Sequence, residues 1–416
     1  MGRLLDCNKK LFILLAKYGR VRLFFKITIT MASNYSDPRD FVMHISAPII
    51  AEYLSKRHSV NFPLGKKDES REECADRFID FIHKQNERLQ DEVFMELEYI
   101  NSLSSENHIK ALCDTFSEID REDVIEKDST TYDERALRAF THYPQQFDEY
   151  YGKANIEELG VKELTLPKVV PISEITVAKI NSFQEKVQGV YKKSLKGEKC
   201  KIKTFPDADK LILRAYLEDL PTRDTVFDGK NLDEKHIRKP VFDVVFVYTP
   251  ELKVLGVRAL GGKDIIQALQ KLFCAHFLGI PNVNTAEPRY FLTSVQNLTN
   301  LKLVPDATYG VERAYLKSIR LKNKGVPHKL YIDVGGREKY SGADAIQTIL
   351  KELNLDRSTG WEAESIKITV VFKQTGKGRR KQVTVTVTPP STCDLKNRKQ
   401  DDIVRKLLKD WGIFIA

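Results

Sequence analysis

The chain has 416 residues, a formal net charge of +9, 42% hydrophobic and 30% charged residues, which is the make-up of an ordinary globular protein with room for two or three cores. No apolar run approaches the roughly 20 residues of a membrane-spanning helix. The six cysteines (Cys7, Cys74, Cys113, Cys200, Cys274, Cys393) contain no C-x-x-C pair, which argues against a disulfide framework and a zinc finger and fits a reduced, cytoplasmic chain.

Residues 1–32 form a basic extension with Arg3, Lys9, Lys10, Lys17, Arg20, Arg22 and Lys26 around a short apolar stretch, Leu11–Ala16. That stretch is short for a secretory signal and lacks a clear cleavage site. Met31, Ala32 and Ser33 read like a natural start, so residues 1–32 are expected to be disordered or not part of the native protein.

Residues 33–163 read as an acidic α-helical domain. Asp37 caps a helix with Pro38 at its first position, and Phe41, Ile45, Ile49 and Leu54 follow at near-helical spacing. Further stripes carry Cys74, Phe78, Phe81, Ile82, Leu89 and Phe94, then Ile109, Leu112, Cys113 and Phe116, then Leu137, Phe140, Phe147 and Tyr151. From Asn61 to Tyr150 there are 11 Lys and Arg against 23 Asp and Glu. The remainder of the chain is correspondingly basic, and an acidic block beside a basic one points to nucleic acid or another charged partner. Pro167 and Pro171 then suggest a linker over residues 164–172.

Beyond it the pattern turns to strands. In residues 173–290 a helix near Val177–Val190 precedes strands at Lys201–Phe205 and Leu211–Leu217. A hairpin follows, Val241–Tyr248 with Lys253–Ala259, and then a helix burying Ile265, Ile266, Leu269 and Phe273. Residues 291–416 repeat the scheme twice. Strands near Tyr315–Leu321 and Lys329–Val334 precede a helix capped at Ser341 that buries Ile346, Ile349, Leu350 and Leu353. The last hairpin alternates Ile366, Ile368, Val370, Phe372 and Val383, Val385, Val387, before a helix burying Ile403, Val404, Leu407, Leu408 and Trp411. The expected fold class is α+β, an α-helical N-terminal domain followed by antiparallel hairpin–helix (ββα) units.

The last hairpin has the most suggestive chemistry. Its tip carries Lys377, Arg379, Arg380 and Lys381 with two glycines and no acid, a composition that suits contact with phosphates. Lys322, Lys324 and Lys329 make the preceding tip basic too, and the two tips form one surface if the hairpins align. A winged helix needs several helices before its hairpin and an RNA-reading sheet needs an aromatic-rich strand; neither pattern is met.

A metal-dependent nuclease has one foothold, Asp243 with Glu251 and Lys253, although Glu251 falls where the turn is expected. No phosphate-binding glycine loop, zinc-binding histidine spacing or nucleophile elbow is present. No cofactor or metal is expected, and the balance lies against an enzyme. The leading expectation is a non-enzymatic DNA- or RNA-binding protein, with a protein partner for the acidic helical domain. The alternative is an interaction or assembly subunit of a larger complex, and the nuclease comes third.

Overall fold

Residues 37–66, 69–205, 207–228, 231–285, 288–292, 301–334, 345–355, 360–374 and 380–414 are described by the computed structural model. The chain divides into two compact units between Asn155 and Ile156. No described helix is long and apolar enough to cross a membrane.

The first unit is helical: α1 (Pro38–Val42), α2 (Ala47–His58), α3 (Arg71–His83), α4 (Glu87–Asn101), α5 (Glu106–Cys113), α6 (Tyr132–His142) and α7 (Pro144–Glu157), the last ending at the junction with the second unit. Asp37 caps α1, as its side chain accepts from the Arg39 amide, with Pro38 at the first position. Capping boxes open α3 (Ser70 with Glu73) and α6 (Thr131 with Glu134). Glu134, 1% exposed, also accepts from the Ser46 amide at 2.9 Å and the Thr130 amide at 2.6 Å. One buried carboxylate thus serves the starts of both α2 and α6. Phe41, Ile45, Phe78, Ile109, Leu137 and Phe147 meet in one core, with Phe81, Phe94, Phe116 and Tyr151 packed at its edge.

The second unit holds two five-stranded antiparallel sheets. The first has strand order β1-β7-β6-β3-β2, with β1 at Lys162–Thr165, β2 at Cys200–Phe205, β3 at Leu211–Glu218, β6 at Val241–Thr249 and β7 at Val254–Arg258. On one face α8 (Val177–Tyr191) and α9 (Gly262–Phe273) bring Phe183, Val187, Tyr191, Leu269 and Phe273 against Leu213, Phe246, Tyr248 and Val257. On the other, a smaller cluster joins Ile156, Phe205, Ile212, Val245 and Val247. Between β3 and β6 the chain runs out into a two-stranded ribbon, β4 (Thr222–Asp228) and β5 (Asn231–Arg238), which forms a sheet of its own.

The second sheet has the order β12-β11-β10-β8-β9, from β8 (Val311–Asn323), β9 (Lys329–Asp333), β10 (Trp361–Phe372), β11 (Gln382–Thr388) and β12 (Thr392–Cys393). The period-two pattern is realised as expected: Ile366 faces Val387, Ile368 faces Val385 and Val370 faces Val383. The inner face receives Ile346 and Leu350 from α10 (Ala345–Glu352) and Val404, Leu407 and Leu408 from α11 (Lys399–Asp410). The two last hairpins therefore share one sheet and one core, because β10 pairs with β8 over most of its length.

The fold is α+β, a helical N-terminal unit followed by antiparallel sheets with their helices. Three details differ from the sequence reading. Residues 164–172 are not a free linker: Leu164 lies in β1, paired with Leu255, Leu164 and Leu166 are buried, and the Val170 amide donates to the Tyr248 hydroxyl at 2.8 Å. Prolines exclude helix but tolerate the end of an edge strand, which is where Pro167 falls. The helical unit closes at 155 rather than 163, and residues 173–290 and 291–416 belong to one unit. The Ser341 cap lies outside the described residues.

Candidate nucleic-acid interface

The two predicted basic tips stand at opposite ends of β10. Trp361 pairs with Asn323 at one end and Phe372 with Val311 at the other, so the 322–329 tip and the wing at 374–381 are about 35 Å apart at ~3.3 Å per strand residue. They do not form one surface. Lys377 and Arg379 lie outside the described residues.

The tips also differ electrostatically. Lys322 and Lys324 pair with Glu362 at 3.4 and 3.0 Å, and Lys329 pairs with Glu364 at 2.6 Å. Hydrogen bonds from Lys324 and Lys329 hold these carboxyls below the ordinary carboxylate range, so this tip is largely neutralised. At the wing, Arg380 pairs with Glu312 at 3.3 Å, and Lys381 lies at its base, where its carbonyl accepts from the Phe372 amide.

Between these ends stretches the outer face of the second sheet. Pairing registers place Arg313, Tyr315, Ser318 and Arg320 of β8 there, with Tyr331 and Asp333 of β9, Lys367, Thr369 and Val371 of β10, and Gln382, Thr384 and Thr386 of β11. None of these side chains belongs to a described hydrophobic core. Strand alternation explains both faces: the apolar set is spent inward against α10 and α11, and a mostly polar, threonine-rich set is left on the other face, where Ser318, Thr369 and Val371 are nonetheless buried. The Thr369 and Thr384 hydroxyls meet across strands at 3.0 Å. Among the described residues, Arg313, Lys317, Lys367, Lys373 and Lys381 take no ion-pair partner, and Arg313 lies 5.8 Å from the Tyr315 ring. The sequence reading missed this face. Its tyrosines, Tyr315 and Tyr331, come from different strands and make no aromatic-rich run.

A second cluster, also missed, is buried in the same unit. Glu163 of β1 accepts from Arg405 of α11 at 2.7 Å and from Arg289 at 2.7 Å. Arg405 also pairs with Asp402 at 3.0 Å, and Asp402 pairs with Lys210 at the start of β3. The Lys210 ammonium donates to the Asn397 carbonyl at 2.8 Å, and the Asn397 amide group donates to the Ile156 and Leu159 carbonyls. Burial alone would raise Glu163; the Arg405 and Arg289 guanidiniums overcome it and hold the carboxyl at about 2. Burial pushes Asp401 and Asp402 the other way, upward. The adjoining cavity measures about 10 Å³, room for one water and no substrate. This cluster fastens α11 to the first sheet.

The nuclease residues do not converge. Asp243 is held by Arg214 at 2.7 Å and pairs with Tyr216 near the start of β6. Glu251 lies in the turn beyond Thr249, ~20 Å along the strand, bound to Lys406 at 2.6 Å. Lys253 occupies the left-handed region at φ 53°. An acid and a turn glutamate so far apart cannot share an ion. Nor is Ser182 beside His276 a nucleophile–base pair: Lys186 donates to Nδ1 at 2.9 Å, which leaves Nε2 as a donor to the Lys179 carbonyl at 2.8 Å. No group of side chains suited to a metal ion occurs among the described residues. No protein family, no curated protein and no solved structure matches the chain.

Proposed function

We propose that the protein binds nucleic acid on the outer face and wing end of its second sheet, as a binding protein rather than an enzyme. The observation that carries this reading is the set of cations without ion-pair partners on this face and toward its wing end, Arg313, Lys367, Lys373 and Lys381; the middle of the face, at Ser318, Thr369 and Val371, is itself buried, while Lys373, Lys381, Gln382 and Thr384 toward the wing are exposed. Such cations release condensed counterions when they meet phosphates, while cations already bound to glutamates must first give up a partner.

The test is fluorescence anisotropy of the intact chain against a labelled oligonucleotide over a salt series, beside the Arg313→Ala/Lys367→Ala/Lys373→Ala variant. Removing three phosphate contacts lowers the log–log salt slope by roughly 2 to 3. Equal affinity and equal slope in the two proteins would rule the interface out.

A second reading, an assembly subunit, has one observation in its favour. The β4–β5 ribbon exposes Phe227, Leu232 and Ile237 at 73, 52 and 64%, and Phe227 pairs with Leu232 on one face. A lone two-stranded ribbon is marginal in water, and exposed apolar clusters mark contact surfaces. Sedimentation of the intact chain and of Phe227→Ser/Ile237→Ser tests this: a lower sedimentation coefficient in the variant supports assembly, identical monomers contradict it.

A further inference from the structure

The outer face of the second sheet carries two tyrosines whose rings belong to none of the described cores. Tyr315 lies on β8 opposite Thr369, and Tyr331 lies on β9 opposite Arg320. Their inward neighbours Ala314, Leu316, Leu330 and Ile332 pack into the core beneath. Tyr331 is 53% exposed, a large ring to leave in water, and its hydroxyl is tethered to Asp333 at 2.9 Å. The guanidinium of Arg313 lies near the Tyr315 ring. Lys367 lies between the two tyrosine rows, opposite Ser318 on one side and Thr386 on the other. Along the strands the two tyrosine positions are ~13 Å apart.

We infer that the preferred ligand of this face is a single strand, with unpaired bases stacked on Tyr315 and Tyr331 and the backbone tracked by Arg313, Lys367 and Lys373. This rests on the nucleic-acid reading and narrows it. A five-stranded sheet is broad and offers neither a helix nor a narrow ribbon for the major groove of a duplex. The bases of a duplex are stacked on each other, so the exposed ring of Tyr331 and the half-buried ring of Tyr315 add nothing to duplex binding. A single strand presents free base faces, and each base stacked on an aromatic ring adds affinity in a manner tolerant of sequence.

The experiment compares the intact chain and three variants, Tyr315→Ala/Tyr331→Ala, Tyr315→Phe/Tyr331→Phe and Arg313→Ala/Lys367→Ala, against a labelled dT20 strand, a U20 strand and a duplex of mixed sequence. Both single strands bind at least tenfold more tightly than the duplex. The alanine pair weakens single-strand binding tenfold or more and leaves duplex binding and the salt slope unchanged; the phenylalanine pair binds single strands like the parent. The far-ultraviolet dichroism of each variant matches the parent's, because both rings lie outside the core.

Duplex binding equal to or tighter than single-strand binding, or an alanine pair that weakens both alike, would overturn this inference while leaving the interface standing. An Arg313→Ala/Lys367→Ala variant that binds every probe like the parent would instead remove the interface on which the inference rests.

Discussion

At the scale of single residues, Glu163 organises more of the second unit than any other side chain described above. It faces two guanidiniums, Arg405 and Arg289, and is buried with them. Glu163→Gln leaves Arg289 without its carboxylate and Arg405 with Asp402 alone, and removing one member of a buried pair costs about 3–5 kcal/mol. The pH dependence follows from linkage. Because the folded carboxyl titrates at about 2 against an ordinary value of 4.5, its contribution is complete above ~4.5 and is lost as pH falls toward 2. Asp401 and Asp402, raised by burial, act with the opposite sign. Urea midpoints measured from neutral pH down to acid therefore fall more steeply in the parent than in Glu163→Gln, and parallel curves would contradict this assignment. None of this cluster was legible beforehand. Glu163, Lys210, Arg289 and Arg405 are far apart in the chain, and a buried ion pair leaves no periodic signature. Arg405 sits in an amphipathic helix, where a cation is normally assigned to the water-facing side.

At the scale of elements, the regular strands could be read and the irregular ones could not. The alternation of Ile366, Ile368 and Val370 identifies β10 because an inner face packed on α10 and α11 imposes a period of two. The ribbon escaped because neither of its faces is buried, so its strands mix Arg223, Asp224, Val226 and Phe227 with no alternation to detect. Partner choice was equally hidden: that β10 pairs with β8, which sends the two basic tips to opposite ends, is a non-local fact. It separates two sets of cations that look alike in sequence. Lys322, Lys324 and Lys329 are held by Glu362 and Glu364, so replacing all three by Ala lowers the salt slope of oligonucleotide binding by less than 1. Replacing Arg313, Lys367 and Lys373 lowers it by roughly 2 to 3. A reversed order would place the contact at the wrong end of the sheet.

At the scale of the whole molecule, two units with separate cores report through different probes. Both tryptophans, Trp361 and Trp411, lie in the second unit, so tryptophan fluorescence follows that unit alone while helical dichroism is sensitive to both. Glu134→Ala strips the buried carboxylate that caps α2 and α6 and costs the helical unit about 2–4 kcal/mol. In urea it shifts the part of the dichroism transition that belongs to the helical unit without moving the fluorescence midpoint, whereas Glu163→Gln moves the fluorescence midpoint. A shift of the fluorescence midpoint in Glu134→Ala would show that the units unfold as one. The acidic and basic halves were visible in composition, but their boundary was not: two prolines drew attention to residues 164–172, where the chain is already inside a sheet.

Photochemical crosslinking locates the nucleic-acid contact on the chain. A U20 strand with 4-thiouridine at every fifth position is bound to the intact chain and irradiated, and the crosslinked peptides are identified by mass spectrometry. Crosslinks are predicted on the peptides that carry β8, β9 and β10, with Tyr315, Tyr331 and Lys367 as the modified positions. Crosslinks confined to the helical unit, or to the ribbon at residues 222–238, would place the contact elsewhere and rule out the second sheet.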